Sequence, residues 1–167
     1  MDKLTLISTA LFLTADILAI VSLILPDWIV SEVGGDTRFG LLRSCLAIYG
    51  RDSHCFTPKL HTEWTLALIC IVGGCVCVTT TVVLFVISNW NQSVISSARW
   101  FGFAAMVQYC LAAVIFPMGF TVDAIGGQPY QLPSSHQVGI SYIFFVLSLW
   151  ITVISELFAG KVCMPHF

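Results

Sequence analysis

The chain has 167 residues, of which 57% are hydrophobic and only 10% charged, with a formal net charge of −2. A soluble domain carries roughly a quarter of its residues as charges. A mean hydropathy of +0.92 therefore excludes an ordinary soluble fold and predicts a membrane protein, with the lipid bilayer as its first partner. No basic stripe and no Gly-rich phosphate loop is present, so nothing points to nucleic acid or to a nucleotide.

The first apolar run covers residues 4–25. At ~1.5 Å per residue it reaches ~33 Å, enough for the ~30 Å hydrocarbon core. It is longer than the apolar core of a secretory signal and runs into Pro26-Asp27-Trp28 without a cleavage pattern, so a retained helix is expected. Pro26 stops that helix, and Trp28 is expected at the membrane interface, where indoles are enriched. Asp16 lies near mid-helix, where a charge costs a few kcal/mol or more unless it is paired. Such an acid reads either as an ion or proton handler or as a carboxyl bonded to a neighbouring helix.

The second run covers residues 64–87. Its middle carries Gly73 and Gly74 among cysteines, with Gly73 four residues from Cys77 and Cys70 four from Gly74. Small residues at that spacing let helices approach closely, here either within one bundle or at a homodimer face. Residues 88–99 are polar and short, which predicts a tight turn between antiparallel helices. The third run covers 100–120, with Pro117 near its far end, where a kink is tolerable. Its Gln108 falls at nearly the depth of Asp16 and is the expected partner of that acid. Residues 121–137 form a second polar loop, with a turn signal at Gly126-Gly127-Gln128-Pro129. Val122 and Ile125 on one side and Tyr130 and Leu132 on the other are arranged for a short hairpin. The fourth run covers 138–159. Glu156 lies about one turn from its end, either solvated at the interface or meeting Arg99 or Lys161 from the same side. Residues 160–167 are too few to hold a domain.

The expected architecture is thus one four-span domain over residues 1–167. It is a membrane all-α fold with helices at about 4–25, 64–87, 100–120 and 138–159 and outer loops at 26–63 and 121–137. The first outer loop is the longest polar stretch. Short alternating segments at 28–33 and 38–49, with turn signals at Gly34-Gly35-Asp36 and Gly50-Arg51-Asp52, predict three short strands. The second loop's hairpin is placed to extend them into a small antiparallel sheet, which needs a bundle beneath it or a disulfide. Of seven cysteines, Cys70, Cys75, Cys77 and Cys110 sit in apolar runs, Cys163 is near the C-terminus, and Cys45 and Cys55 share the polar loop. Only the loop pair is well placed for a disulfide, given an oxidising compartment, and closing it would stabilise the loop by roughly 2–3 kcal/mol. Basic residues divide too evenly between the two sides for the positive-inside rule to orient the chain. The cysteine pair places the first loop outside and both termini in the cytosol.

No catalytic constellation, cofactor motif or metal site is legible. Cys75-Val76-Cys77 is C-x-C inside an apolar helix with no base beside it, not a C-x-x-C redox motif. His54, Cys55 and His61 lack a fourth ligand. A channel or transporter would want several polar groups along a pathway, and Asp16 with Gln108 is thin for that. What remains is an adaptor. The outer loop would meet a partner's ectodomain through Trp28, Arg43, Arg51 and Lys59, and Gly73 and Gly74 would meet its membrane span. Cell adhesion, or service as an accessory subunit of a channel or receptor, is the alternative.

Trp28, the pair Gly40-Leu41, and Cys45 followed by Cys55 resemble the signature of the claudin and peripheral-myelin-protein superfamily, a Trp, then Gly-Leu-Trp, then two cysteines. Leu42 stands where that signature has its second Trp, and the loop is short for a junction-forming claudin. The resemblance implies a claudin-like four-helix bundle with an extracellular sheet, without implying strand or pore formation. A narrower resemblance runs through nearly the whole chain. It is carried by Met1-Asp2-Lys3-Leu4-Thr5, Pro26-Asp27-Trp28-Ile29, Ile48-Tyr49-Gly50-Arg51-Asp52 and Glu63-Trp64. It continues at Ala98-Arg99-Trp100, Ile115-Phe116-Pro117-Met118-Gly119-Phe120, Gly126-Gly127-Gln128-Pro129-Tyr130 and Phe158-Ala159-Gly160-Lys161-Val162-Cys163. These stretches are similar to a family of membrane proteins that attenuate Hedgehog signalling by lowering Smoothened at the cell surface and cilium. The resemblance implies two partners, a large single-pass protein with EGF-like repeats and a mahogunin-type RING ubiquitin ligase. The chain has no RING-type cysteine–histidine pattern of its own, so any ubiquitin transfer falls to a partner.

Asn91-Gln92-Ser93 is the one N-x-S/T sequon and falls in the short turn. With that turn cytosolic, endoglycosidase treatment should leave the electrophoretic mobility unchanged.

Overall fold

In a computed structural model the chain forms a four-helix bundle with a small sheet at one end. The residues described are 3–25, 28–31, 36–40, 44–47, 54–56, 62–88, 90–118 and 136–163. The helices are α1 (Lys3–Ile24), α2 (Thr62–Ile87), α3 (Ile95–Met118) and α4 (Ile140–Cys163). All four are long and apolar enough to cross a membrane. α1 packs most closely on α4, and α2 on α3.

Two helix boundaries differ from the expectation for one reason: loss of hydropathy marks where lipid ends, not where a helix ends. α3 begins at Ile95, behind a 3-10 turn at Gln92–Val94. The Asn91 Oδ1 starts it by accepting from the Ser93 backbone N–H at 3.1 Å and from the Ser93 hydroxyl at 2.7 Å. This satisfies amide hydrogens that have no helical acceptor. At its other end α4 runs through Gly160 and Lys161 to Cys163, beyond the apolar run that ends at residue 159.

Among the described residues the sheet has five strands: β1 (Ile29–Ser31), β2 (Asp36–Phe39), β3 (Ser44–Ala47), β4 (His54–Phe56) and β5 (His136–Val138). Their order is β4-β3-β2-β1-β5, and every pair is antiparallel. The expected single segment at 38–49 is two strands, β2 and β3, which pair with each other. The expected hairpin around Val122, Ile125, Tyr130 and Leu132 lies outside the described residues. Among the described residues the second loop contributes β5, which runs into the start of what hydropathy assigns to the fourth helix. β3 and β4 are in register with Cys45 directly opposite Cys55.

The sheet and bundle meet at Trp28, which is 1% exposed. This corrects two expectations at once: the residue is neither an interfacial anchor nor an outward-facing contact. Its indole N–H donates to the Ser22 carbonyl at 2.8 Å. Its backbone N–H donates to the Phe39 carbonyl and its carbonyl accepts from the Gly139 N–H, both at 3.0 Å. The ring packs on Phe116 of α3 and on Tyr142 and Phe145 of α4, with centroid separations of 5.0, 5.9 and 5.5 Å. Trp64 at the head of α2 stacks on the same Phe116 at 5.5 Å and donates to its carbonyl at 3.3 Å. Gly40, the first residue of the Gly-Leu pair, is also buried.

Along α1 and α4 the contact is built from small residues seven apart. Ser8, Ala15 and Ser22 on α1 and Ser141, Ser148 and Ser155 on α4 are all fully buried. The Ser8 hydroxyl donates to the Ser155 carbonyl at 3.3 Å, and the Ser148 hydroxyl to the Ala15 carbonyl at 2.6 Å. Ser141 donates to the Leu25 carbonyl at 3.1 Å. Two helices in lipid gain nothing from hiding apolar surface from water, so close approach and hydrogen bonds between helices must hold them.

Trp28→Ala should cost about 3–5 kcal/mol in detergent-solubilised protein, the range for truncating a buried large aromatic. Thr14→Ala, whose exposed hydroxyl bonds only the Ala10 carbonyl of its own helix, should stay within about 0.5 kcal/mol. Chemical unfolding followed by circular dichroism measures both.

Candidate functional site

The polar groups that matter are those a lipid-embedded bundle cannot shed into water. Most hydroxyls are neutralised by their own helix: Thr9, Thr80, Thr81, Thr152 and Ser155 each donate to the carbonyl four residues earlier. That leaves the groups that reach between helices.

Asp16 is 7% exposed. Its Oδ2 accepts from the Thr79 hydroxyl of α2 at 2.9 Å, while its Oδ1 has no hydrogen-bond partner. The expected partner, Gln108, is not the one found. Equal depth was a sound argument, but depth fixes only one coordinate. Gln108 faces α2, where a side chain at Gly73 would put its Cβ 2.5 Å from the Gln108 Oε1. That oxygen too is buried without a hydrogen-bond partner.

Gly74 receives the neighbouring Tyr109. A Cβ there would fall 2.7 Å from the ring's Cδ1. The Tyr109 hydroxyl bonds the Cys75 Sγ at 3.4 Å. Gly73 and Gly74 are therefore filled from within by α3, as expected of close packing within one bundle, and are not the homodimer face or the contact with a partner's span that was the other expectation. Asp16 and Thr79 on α1 and α2, Cys75 and Tyr109 on α2 and α3, and Ser148 on α4 together set polar groups at mid-depth in every helix.

Nearer the other end, Glu156 turns inward instead of lying solvated. Its Oε2 occupies the space left by Gly102, where a Cβ would come within 2.5 Å of it and 2.9 Å of Phe12 Cζ. Arg99 lies close enough to act on Glu156 electrostatically, the second of the two placements its position allowed, though the Glu156 Oε2 has no hydrogen-bond partner. Leu41, Arg43, Arg51 and Lys59, the outer-loop residues expected at a partner face, lie outside the described residues. Of that loop's basic residues, Arg38 on β2 is described and is exposed.

Sequence reasoning missed Thr79, Tyr109, Gly102 and the serine series. The seven-residue spacing of Ser141, Ser148 and Ser155 was a readable signal for the last. Thr79 carried none, because lipid-facing and bundle-facing threonines look alike in sequence. No group of three or more metal-binding side chains occurs among the described residues.

Gly74→Ala should destabilise the bundle by about 1–3 kcal/mol, because the added methyl displaces Tyr109. Val76→Ala, on the exposed side of the same helix, should change stability by less than about 0.5 kcal/mol.

A family model described as Attenuator of Hedgehog matches residues 25–165 of the chain. The match takes in Trp28, all five strands, α2, α3 and α4. The chain belongs to the Attenuator of Hedgehog family, whose members act in signalling as attenuators of the Hedgehog pathway.

Proposed function

We propose that the chain attenuates Hedgehog signalling as a multi-pass adaptor of the plasma membrane and primary cilium, lowering the amount of Smoothened there. In this reading it assembles with a large single-pass protein bearing EGF-like repeats and with a mahogunin-type RING ubiquitin ligase, which supplies the transfer chemistry. The sheet and the Cys45–Cys55 pair lie outside the cell, the pair is oxidised, and both termini are cytosolic. The observation that carries the reading is the family match over residues 25–165. Two features support an adaptor in particular. Cys45 and Cys55 stand opposite each other in adjacent strands, the arrangement a disulfide-pinned recognition surface needs. The sheet is also fixed to the bundle through the bonds of Trp28, so a partner would meet a preorganised surface.

Deleting the protein from Hedgehog-responsive cells should raise surface Smoothened, measured by antibody on intact cells. Wild-type re-expression should restore it, and Trp28→Ala, expressed at the same level, should not. Unchanged surface Smoothened on deletion would discard the Smoothened step and leave family membership standing.

A further inference from the structure

Among the described residues, the buried side-chain nitrogens and oxygens without a hydrogen-bond partner are Asp16 Oδ1, Gln108 Oε1 and Glu156 Oε2. All three are acceptors, so the interior holds lone pairs in excess and no orphaned donor. Asp16 is the only one of the three residues that is itself buried, at 7% exposure. Hydroxyls from the other three helices gather at it. Thr79 of α2 bonds its Oδ2 at 2.9 Å. Tyr109 of α3 lies close enough to act on it electrostatically, and lies against Ser148 of α4. Ser148 bonds the carbonyl of Ala15, the residue before Asp16. The protons of these hydroxyls are committed: Thr79's to the Asp16 Oδ2, Tyr109's to the Cys75 Sγ at 3.4 Å, and Ser148's to the Ala15 carbonyl at 2.6 Å. Each oxygen still has a lone pair to offer. The described basic residues Lys3, Arg38 and Arg99 are all far from that depth. A charge inside a membrane is costly and is retained where an opposite charge meets it.

We infer that Asp16 is the charged ligand of a site for a monovalent cation of sodium type, enclosed between the four helices, with the hydroxyl oxygens of Thr79, Tyr109 and Ser148 around the ion. The donor chemistry sets the class of ion. Oxygen ligands suit a hard cation. One carboxylate balances one positive charge, whereas calcium sites draw on several carboxylates. No group of three or more metal-binding side chains among the described residues would suit a transition metal. The ion ties α1 to the other three helices at the depth where water is not there to solvate the acid. Such a site binds and holds; it needs no pathway of polar groups through the bundle. It does not depend on the adaptor reading.

The test follows urea unfolding of the full chain in a non-ionic detergent by circular dichroism, with choline chloride replaced stepwise by sodium chloride at constant ionic strength. Choline carries the same charge but is too large for an enclosed site, so screening stays fixed while the small cation varies. An ion that binds only the folded state lowers the apparent unfolding constant in proportion to its occupancy. Wild-type chain should therefore become more stable as sodium rises, and above half-saturation each tenfold rise in sodium should lower the unfolding constant about tenfold. Asp16→Asn, which keeps the shape and removes the charge, should fold and be indifferent to the exchange. Glu156→Gln, which neutralises the inward-turned acid nearer the other end, should keep the full dependence. Identical unfolding of wild type in sodium and in choline would overturn the inference without any variant. A sodium dependence that survives Asp16→Asn, or that disappears in Glu156→Gln, would overturn it as well. The assay contains no pathway component, so a failure of the Smoothened reading would leave this result unchanged, and a failure here would leave that reading unchanged.

Discussion

Pro26 has no amide hydrogen, so the carbonyl of Ser22, four residues before it, has no donor of its own at the end of α1. The Trp28 indole supplies that donor. The same residue uses its backbone N–H on β2 and its carbonyl on the Gly139 amide at the entry to α4, and lays its ring against α3 and α4. Every hydrogen-bonding group Trp28 owns is thus spent on a different element, in a site closed to water. A sheet of three- and four-residue strands has little stability of its own. Its position over the bundle follows from this one residue, backbone and side chain, and from Phe116, which Trp28 and Trp64 share.

Below that junction the bundle is held differently. Water is not there to drive apolar surfaces together, and the two close helix pairs show the two available substitutes. α1 and α4 approach through serines and alanines seven residues apart, with hydroxyl-to-carbonyl bonds between helices. α2 and α3 approach because glycines on one receive a glutamine and a tyrosine from the other. Oxygens of Asp16, Gln108 and Glu156 are left inside the bundle without hydrogen-bond partners.

The architecture was readable because hydropathy reports lipid contact directly. The spans at 4–25 and 64–87 match α1 and α2 to within about two residues. The ends of α3 and α4 were misread because a helix continues into polar solvent wherever a cap or a lysine lets it. The sheet was legible as strands but not in full: the 38–49 segment reads as one strand and hides the division between β2 and β3. Trp28 was the harder error. An indole after a transmembrane helix is expected at the interface on frequency alone. Its burial depends on Pro26 orphaning a carbonyl and on aromatic residues from two distant helices, and only the assembled fold brings those together. The proximity of Glu156 and Arg99 was legible because both lie near one end of the bundle. Pairing was not legible where rotation about the helix axis decides, as for Asp16.

The account turns on the sheet being locked to the bundle at Trp28, and hydrogen exchange measures that lock most directly. The backbone amides of Trp28 and Gly139 and the Trp28 indole N–H should exchange as slowly as the amides of the adjoining turns of α1 and α4, through one shared opening. Exchange of those three hydrogens on the timescale of exposed loop amides, with the helices still protected, would contradict it.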